Sequence, residues 1–151
     1  MRLYFLRHGA ADWPDWNQPD DERPLTKEGR RELHQVGEFL ARIKAKPDLI
    51  LTSPLPRASQ TADIAAEYLQ ARVHEERLLS PGFGAEDLKR LRRKYPQRVL
   101  MLVGHEPDFS STIASVTGGS VKLSKAGVAL VELDSGKGEL RWLFPPKIAK
   151  Q

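Results

Sequence analysis

The sequence contains no cysteine among its 151 residues. This absence excludes disulfide scaffolds, zinc sites built from thiolates and every mechanism that uses a cysteine nucleophile, including that of the cysteine-based phosphatases. Long apolar runs are also lacking, which argues against a membrane-spanning segment. The first seven residues hold too short an apolar stretch for a signal peptide. From these absences we expect a cytoplasmic protein that makes no membrane contact.

What is present has the composition of a folded chain, with 40% hydrophobic and 29% charged residues. A chain of this length buries roughly 68–70% of its unfolded surface and needs no crosslinks to hold a core. We expect one domain over residues 1–151, with a loosely held tail from residue 145. The net charge of +4 favours an anionic partner but does not choose among phosphate esters, nucleic acid and acidic proteins.

Charge is distributed unevenly along the chain. Residues 89–98 hold six lysines and arginines, which is one signature of nucleic-acid binding. Tyr95 is the only aromatic residue in that cluster, so we interpret it as a solvated helix face and expect no nucleic-acid partner. Residues 12–22 hold five acidic residues together with Trp13 and Trp16, which we interpret as packing residues.

Hydrophobic patterning indicates the fold class, because short runs that are apolar on both faces predict central strands and helical spacing predicts amphipathic helices. We predict strands at 2–6, 48–52, 72–75 and 99–103, helices at 26–44, 54–70, 86–95 and 107–116, and a hairpin of strands at 128–133 and 139–144. This alternation predicts an α/β fold. We expect a three-layer α/β/α sandwich with a mostly parallel central sheet and an antiparallel C-terminal edge hairpin.

Unusual polar residues follow the predicted buried strands. Arg7 and His8 follow the first, Ser53 and Arg57 the second, and His105 the Val-rich strand at 99–103. Sites in parallel sheets form at the carboxyl ends of strands, so we expect these side chains to meet. Two arginines and two histidines, with no carboxylate obviously beside them, form a cationic pocket for a dianion. A metal site would need carboxylates or a third histidine, and we expect none.

Each of these residues also has a structural interpretation. Arg57 alone would be a surface arginine, and His105 alone could cap the helix that follows it. Their joint placement at successive strand ends is what favours a functional site. The acidic loop at 12–22 follows the first strand, so we expect it to rim the pocket.

Four segments together resemble the ordered motifs of a known family. They are Leu-Arg-His-Gly at 6–9, Pro-Leu-Thr-Lys-Glu-Gly at 24–29, Ser-Pro-Leu-Pro-Arg-Ala-Ser-Gln-Thr-Ala at 53–62 and Val-Gly-His-Glu-Pro at 103–107. The sequence resembles the histidine phosphatase superfamily, which contains the phosphoglycerate mutases, over residues 2 to 145. Its small size and closing hairpin are most similar to the SixA-like phosphohistidine phosphatases.

The resemblance implies a mechanism. His8 would be the nucleophile and would form a phosphohistidine intermediate, from which water releases inorganic phosphate. Arg7, Arg57 and His105 would bind the phosphoryl oxygens, with His105 as a protonated donor, and no cofactor is implied. Thr26 and Ser53 are candidate secondary contacts, although Thr26 is better explained as a helix N-cap.

One departure from the family pattern bears on the substrate. Many members carry a glutamate general acid where this sequence has Ser80 or Pro81. An alkyl phosphate needs that proton on its leaving group, whereas the P–N bond of phosphohistidine is labile. We therefore expect phosphohistidine on a protein, such as a histidine phosphotransfer domain, as the substrate. Glu86, Asp87 and Glu106 are alternative acids, although acids at helix starts usually serve the helix dipole.

Two other functions remain open from the sequence. One is a broad phosphomonoesterase that acts on small molecules, and the other is a non-catalytic module that binds phosphoryl groups. A mutase is not expected, because a chain of 151 residues has little to build the segments that would shield the intermediate from water.

Overall fold

The computed structural model describes residues 1–150, which form a mixed α/β structure around one sheet. The strands are β1 (Arg2–Arg7), β2 (Leu49–Thr52), β3 (Val73–Glu75), β4 (Val99–Gly104), β5 (Val128–Asp134) and β6 (Lys137–Phe144). The α-helices are α1 (Lys27–Arg42), α2 (Pro56–Leu69), α3 (Ala85–Lys94) and α4 (Asp108–Thr117). All the predicted elements are present, with ends that shift by a few residues. The helix predicted to reach residue 44 ends at Arg42, because Lys44 takes a left-handed conformation with φ 62°.

The sheet has the strand order β3-β2-β4-β1-β5-β6. β1 to β4 run parallel to one another, whereas β5 pairs antiparallel with β1 and β6 pairs antiparallel with β5. The mostly parallel sheet and the antiparallel edge hairpin are therefore confirmed. The antiparallel pairing also places the start of β5 beside the end of β1, since Val128 pairs with Leu6.

The two faces of the sheet bury separate apolar clusters. In β1, Tyr4 and Leu6 point toward the cluster that contains α1 and α2 residues, while Leu3 and Phe5 belong to the cluster under α3 and α4. A strand that is covered on both faces needs apolar side chains on both, which explains the unbroken apolar run. The three-layer α/β/α sandwich follows from this arrangement.

The end of the chain differs from the expected loose tail. Pro146–Lys150 forms a short 3₁₀ helix, and Ala149 is buried in the cluster under α1 and α2. A segment this short shows no periodic pattern in sequence, so its anchoring depends on the apolar surface it meets. Gln151 lies outside the described residues.

The segment after β1 is held from several sides. Gly9 donates its N–H to the Thr61 hydroxyl on α2 at 3.1 Å, and Thr26 donates its backbone N–H to the Ala10 carbonyl at 2.9 Å. The Thr26 hydroxyl caps α1 by accepting from Gly29 N at 3.0 Å. These contacts fix the backbone that follows the first strand, where His8 lies.

Candidate active site

The four residues expected to meet do meet. Arg7, His8, Arg57 and His105 line one cavity of about 360 Å³ at the carboxyl ends of the parallel strands. Backbone pairing sets this geometry, since His8 N donates to Gly104 O at 3.0 Å and joins the ends of β1 and β4. Arg57 lies in the first turn of α2, directly after the turn that follows β2.

His8 is held in one tautomer. Its Nδ1 lies 2.7 Å from the Gly9 carbonyl oxygen, and because a carbonyl only accepts, Nδ1 carries the proton. Nε2 then keeps its lone pair. Burial is the main cause that lowers the pKa of His8 to about 4, and the charges of Arg57, Arg7 and Arg23 lower it further. At neutral pH the ring is an uncharged imidazole, which is the form that attacks phosphorus.

His105 is more deeply buried, and its Nε2 lies 2.8 Å from the Ser53 hydroxyl. Burial, followed by the charges of His8, Arg57 and Arg7, lowers the pKa of His105 to about 3. This neutral ring differs from the expected protonated donor, because the same burial and cations that suit His8 oppose a charge on His105. A phosphoryl dianion beside the ring would raise this pKa. Ser53 thus contacts His105 and is not itself among the lining residues.

Both arginines are fixed by backbone carbonyls. An Arg7 amino group donates to Leu123 O at 2.9 Å, and one of Arg57 donates to Asp20 O at 3.2 Å. Their Nε atoms are buried and have no hydrogen-bond partner within residues 1–150. An unpaired buried donor costs about 1–3 kcal/mol. Both arginines line the cavity, and their guanidinium groups match a ligand with several acceptor oxygens, such as a phosphoryl group.

Two further cationic side chains line the cavity, and neither was predicted from the carboxyl ends of the parallel strands. Arg23 bonds to the Ala11 carbonyl and to Asp20, with Nε 2.9 Å from the carboxylate. Lys125 pairs with Asp12. Lys125 precedes β5, and because β5 is antiparallel its amino end lies at this edge of the sheet. Its position at this edge depends on the pairing of β5 with β1, which the hairpin signal in the sequence does not give.

Carboxylates also line the cavity, contrary to the expectation that none lies beside the cations. They are Asp12, Asp20, Asp21 and Glu106. The loop at 12–22 supplies three of them, as expected of a loop that rims the pocket. The Glu106 carboxylate accepts from Ser110 N at 2.7 Å and from the Ser110 hydroxyl at 2.5 Å. Pro81 lines the cavity near where the family pattern has its acid.

Three other candidates lie elsewhere. The Thr26 hydroxyl is engaged as the α1 cap. Glu86 and Asp87 lie in the first turn of α3 and pair with Lys89 at 3.3 Å and Arg90 at 3.1 Å. These acids belong to the helix terminus, as expected of the dipole interpretation, and none of the three lines the cavity.

Residues 1–150 contain no group of three or more histidines, aspartates or glutamates placed to hold a metal ion. In the same residues, no helix combines the length and apolar character needed to cross a membrane.

Comparison with known proteins places this geometry in context. The family model of the histidine phosphatase superfamily (branch 1) matches residues 3–110. An uncharacterised protein of Picosynechococcus sp. (strain ATCC 27264 / PCC 7002 / PR-6) is 38% identical over 150 residues, covering 93% of this chain and 89% of the relative.

Solved structures show the same likeness. The protein histidine phosphatase SixA complexed with tungstate has a TM-score of 0.85 and 25% identity, covering 98% of this chain and 99% of SixA. A mutant of a phosphoserine phosphatase from Entamoeba histolytica, in complex with phosphoserine, has a TM-score of 0.75 and 17% identity, covering 97% and 98% of the two chains. The comparison with the phosphoserine phosphatase shows a shared fold only.

Proposed function

Since the chain belongs to the histidine phosphatase superfamily and is SixA-like, we propose that this phosphatase hydrolyses phosphohistidine on a protein through a covalent intermediate on His8. The observation that supports it most is the His8 ring. Its Nδ1 proton is held by Gly9 O, its ring is uncharged at neutral pH, and it lines one cavity with Arg7 and Arg57. The substrate partner would be a phosphorylated protein of the cytoplasm, such as a histidine phosphotransfer domain.

In the first step, the Nε2 lone pair of His8 attacks phosphorus while the substrate's P–N bond breaks. The bonding pair returns to the substrate nitrogen, which leaves as a neutral imidazole if its other ring nitrogen is protonated. The positive charge thus passes from the substrate imidazolium to His8, whose Nδ1–H stays hydrogen-bonded to Gly9 O. No proton crosses the cavity in this step.

In the second step, water attacks the phosphoryl group on His8 and the new P–N bond breaks. The bonding pair returns to Nε2, and dihydrogen phosphate leaves with both protons of the water. The transition states are largely loose, so catalysis depends on positioning and charge neutralisation. Arg7 and Arg57, whose guanidinium groups are fixed, would position the phosphoryl group and neutralise its charge.

The cavity offers little to protonate an alkoxide leaving group. Pro81 has no acidic proton, and Glu106 is engaged by Ser110. The Lys125 ammonium is the main cause that lowers the pKa of Asp12, which keeps that carboxyl ionised. This set of residues favours a leaving group such as imidazole, which departs without a new proton.

A second candidate is a phosphomonoesterase for small molecules. The fold is shared with a phosphoserine phosphatase, and Asp20 and Asp21 line the cavity as potential acids. A purely binding module is less well supported, because His8 has the tautomer and charge of a nucleophile.

A substrate panel tests the proposal. Wild-type protein should turn over a phosphohistidine-bearing protein with a higher kcat/KM than p-nitrophenyl phosphate or 3-phosphoglycerate, with no loss of rate in EDTA. His8→Ala should lose about a thousandfold or more of this activity. The matched control is His34→Ala, because His34 lies on α1 and bonds Tyr68 away from the cavity. Preference for 3-phosphoglycerate, or full activity in His8→Ala, would contradict the proposal.

A further inference from the structure

A second cavity adjoins the catalytic one. It has a volume of about 400 Å³ and is formed by the start of the acidic loop. Its lining residues are Asp12, Trp13, Pro14, Trp16, Asp20 and Arg23. Asp12, Asp20 and Arg23 also line the catalytic cavity, so a ligand in one has direct access to the other. We call this second cavity the tryptophan cleft.

The two indoles in the cleft are fixed by their polar edges. Trp13 Nε1 donates to Pro24 O at 2.8 Å, and Trp16 Nε1 donates to Pro19 O at 3.0 Å. Their ring centroids lie 6.4 Å apart. Trp13 is still 40% exposed, which makes it one of three large exposed hydrophobic side chains in residues 1–150. Packing therefore covers only part of the surface of these two side chains. The rest forms a rigid aromatic surface that faces solvent next to the catalytic cavity.

The loop at the rim of the catalytic cavity has five acids and no basic residue, whereas Arg7, Arg57 and Lys125 line the cavity itself. Arg23 lines both the cavity and the cleft, and the two carboxylates of the cleft are paired, Asp12 with Lys125 and Asp20 with Arg23. Asp15 lies between the tryptophans in the chain and is exposed. A small ligand that carries several phosphates would be attracted by the cavity and repelled by this rim. A peptide with one phosphoryl group and basic side chains beside it is attracted by both surfaces, because the phosphoryl group meets the cationic cavity and the basic side chains meet the acidic rim.

We propose that the tryptophan cleft binds the segment of a protein substrate that flanks the phosphohistidine, and that it selects segments with lysine or arginine next to an apolar side chain. This inference rests on the proposed function. A lysine or arginine over an indole face gains from the cation–π interaction and from the exposed carboxylate of Asp15, which lies between the two tryptophans in the chain. The apolar neighbour covers the exposed part of Trp13. The cleft is then a specificity-determining surface and takes no part in the chemical steps.

Matched peptides and a minimal substrate test the inference. Two peptides of the same length would share a phosphohistidine and an apolar residue next to it. They would differ at one neighbouring position, which is lysine in one peptide and glutamate in the other. The phosphoramidate ion serves as a P–N substrate that reaches only the catalytic cavity. We expect kcat/KM to be about tenfold or more higher for the lysine peptide, with the advantage shrinking as salt is raised.

Trp13→Ala should lower kcat/KM for the lysine peptide roughly tenfold, mainly through KM, and leave phosphoramidate hydrolysis unchanged. Ile43→Ala is the matched control, because Ile43 is 43% exposed and lies beyond the far end of α1. Asp15→Lys is a second variant that keeps both indoles, and it should reduce or reverse the preference between the peptides.

Equal kcat/KM for the two peptides would overturn the inference, as would an equal loss on phosphoramidate and peptide in Trp13→Ala. Hydrolysis of phosphoramidate without peptide preference would overturn this inference alone. If neither phosphoramidate nor peptide is hydrolysed while p-nitrophenyl phosphate is, the proposed function fails and this inference fails with it.

Discussion

The imidazole rings of His8 and His105 lie with their centroids 5.3 Å apart, tilted by 57° to each other. Burial opposes a positive charge on either ring, and so do the guanidinium charges of Arg57 and Arg7. The pair is therefore neutral when the protein is alone at pH 7. A phosphoryl dianion in the cavity would oppose the charge of the arginines, and it would allow His105 to take a proton and donate to a phosphoryl oxygen.

The first prediction concerns the proton equilibria of this pair. Because burial and nearby cations lower the pKa of His8 to about 4 and that of His105 to about 3, both rings should stay unprotonated from pH 8 down to pH 5. Titration of the histidine Cε1–H resonances by NMR, assigned with His8→Asn and His105→Asn, measures this. A midpoint for His8 near the ordinary value of 6.5 would contradict it. Added phosphate should shift the His105 midpoint upward.

The second prediction is a loss of stability in acid. In the unfolded chain each ring has a pKa near 6.5, whereas in the folded protein His8 and His105 take up protons only near pH 4 and pH 3. The unfolded state binds more protons between these values, so the free energy of unfolding falls as pH is lowered from about 6.5 toward 4. Urea unfolding at several pH values measures the slope. His8→Asn and His105→Asn should each flatten it, whereas His34→Asn serves as a control for effects of substitution outside the site. An unchanged slope in both site variants would contradict the assignment.

Much of the site could be predicted from the sequence because of one geometric rule. Parallel strands present their carboxyl ends at a common edge, so Arg7, His8, Arg57 and His105 meet once the strands are recognised. The rule does not cover Lys125, which precedes the antiparallel strand β5 and reaches the same edge from the opposite direction. Finding it requires the strand order as well as the strands.

The protonation state of His105 could not be predicted from strand ends. Neutral His105 results from burial against Ser53 and from the distance to His8, and neither quantity follows from periodicity. The contact between Asp20 and Arg57 could not be predicted for a related reason. Asp20 is near Arg57 only because the loop folds back over the cavity, with the Asp20 carbonyl accepting from that arginine. Loops of this kind lack a repeating pattern that would give their direction.

The third prediction concerns Ser110, which connects α4 to Arg7. The Ser110 hydroxyl bonds Glu106 and accepts from Leu123 N at 3.1 Å, and Leu123 O in turn accepts from Arg7 at 2.9 Å. Ser110→Ala removes the support of the carbonyl that orients this guanidinium, an effect of about 0.5–1.5 kcal/mol. We expect the Kd for inorganic phosphate to rise roughly three- to tenfold and Tm to fall by about 2–4 °C.

The control for Ser110 is Ser59→Ala. Ser59 also donates its hydroxyl to a backbone carbonyl, that of Pro56 at 3.3 Å, but it lies on α2 and, unlike Ser110, does not bond Leu123. Isothermal titration with phosphate compares the two variants. Equal affinity of Ser110→Ala and wild type would show that Leu123 holds Arg7 without this hydroxyl. Weaker phosphate binding by Ser110→Ala would make Ser110 a positioning residue, since it does not line the cavity itself.

The fourth prediction concerns how closely α1 packs on the segment that carries His8. A Cβ built on Gly29 would lie 2.3 Å from the Ala10 carbonyl oxygen, and that oxygen also accepts from Thr26 N. Backbone cannot yield as a flexible side chain does, so Gly29→Ala must push α1 away from residues 9–10, at a cost of about 1–3 kcal/mol. Because Gly9 O holds the Nδ1 proton of His8, kcat should fall as well. Gly84→Ala is the matched control, since Gly84 also lies at a helix start and its Cβ would meet no atom within 4 Å. Thermal unfolding and turnover of phosphoramidate would be measured on both variants. A Gly29→Ala protein as stable and active as Gly84→Ala would show that the backbone at Ala10 can move without disturbing His8.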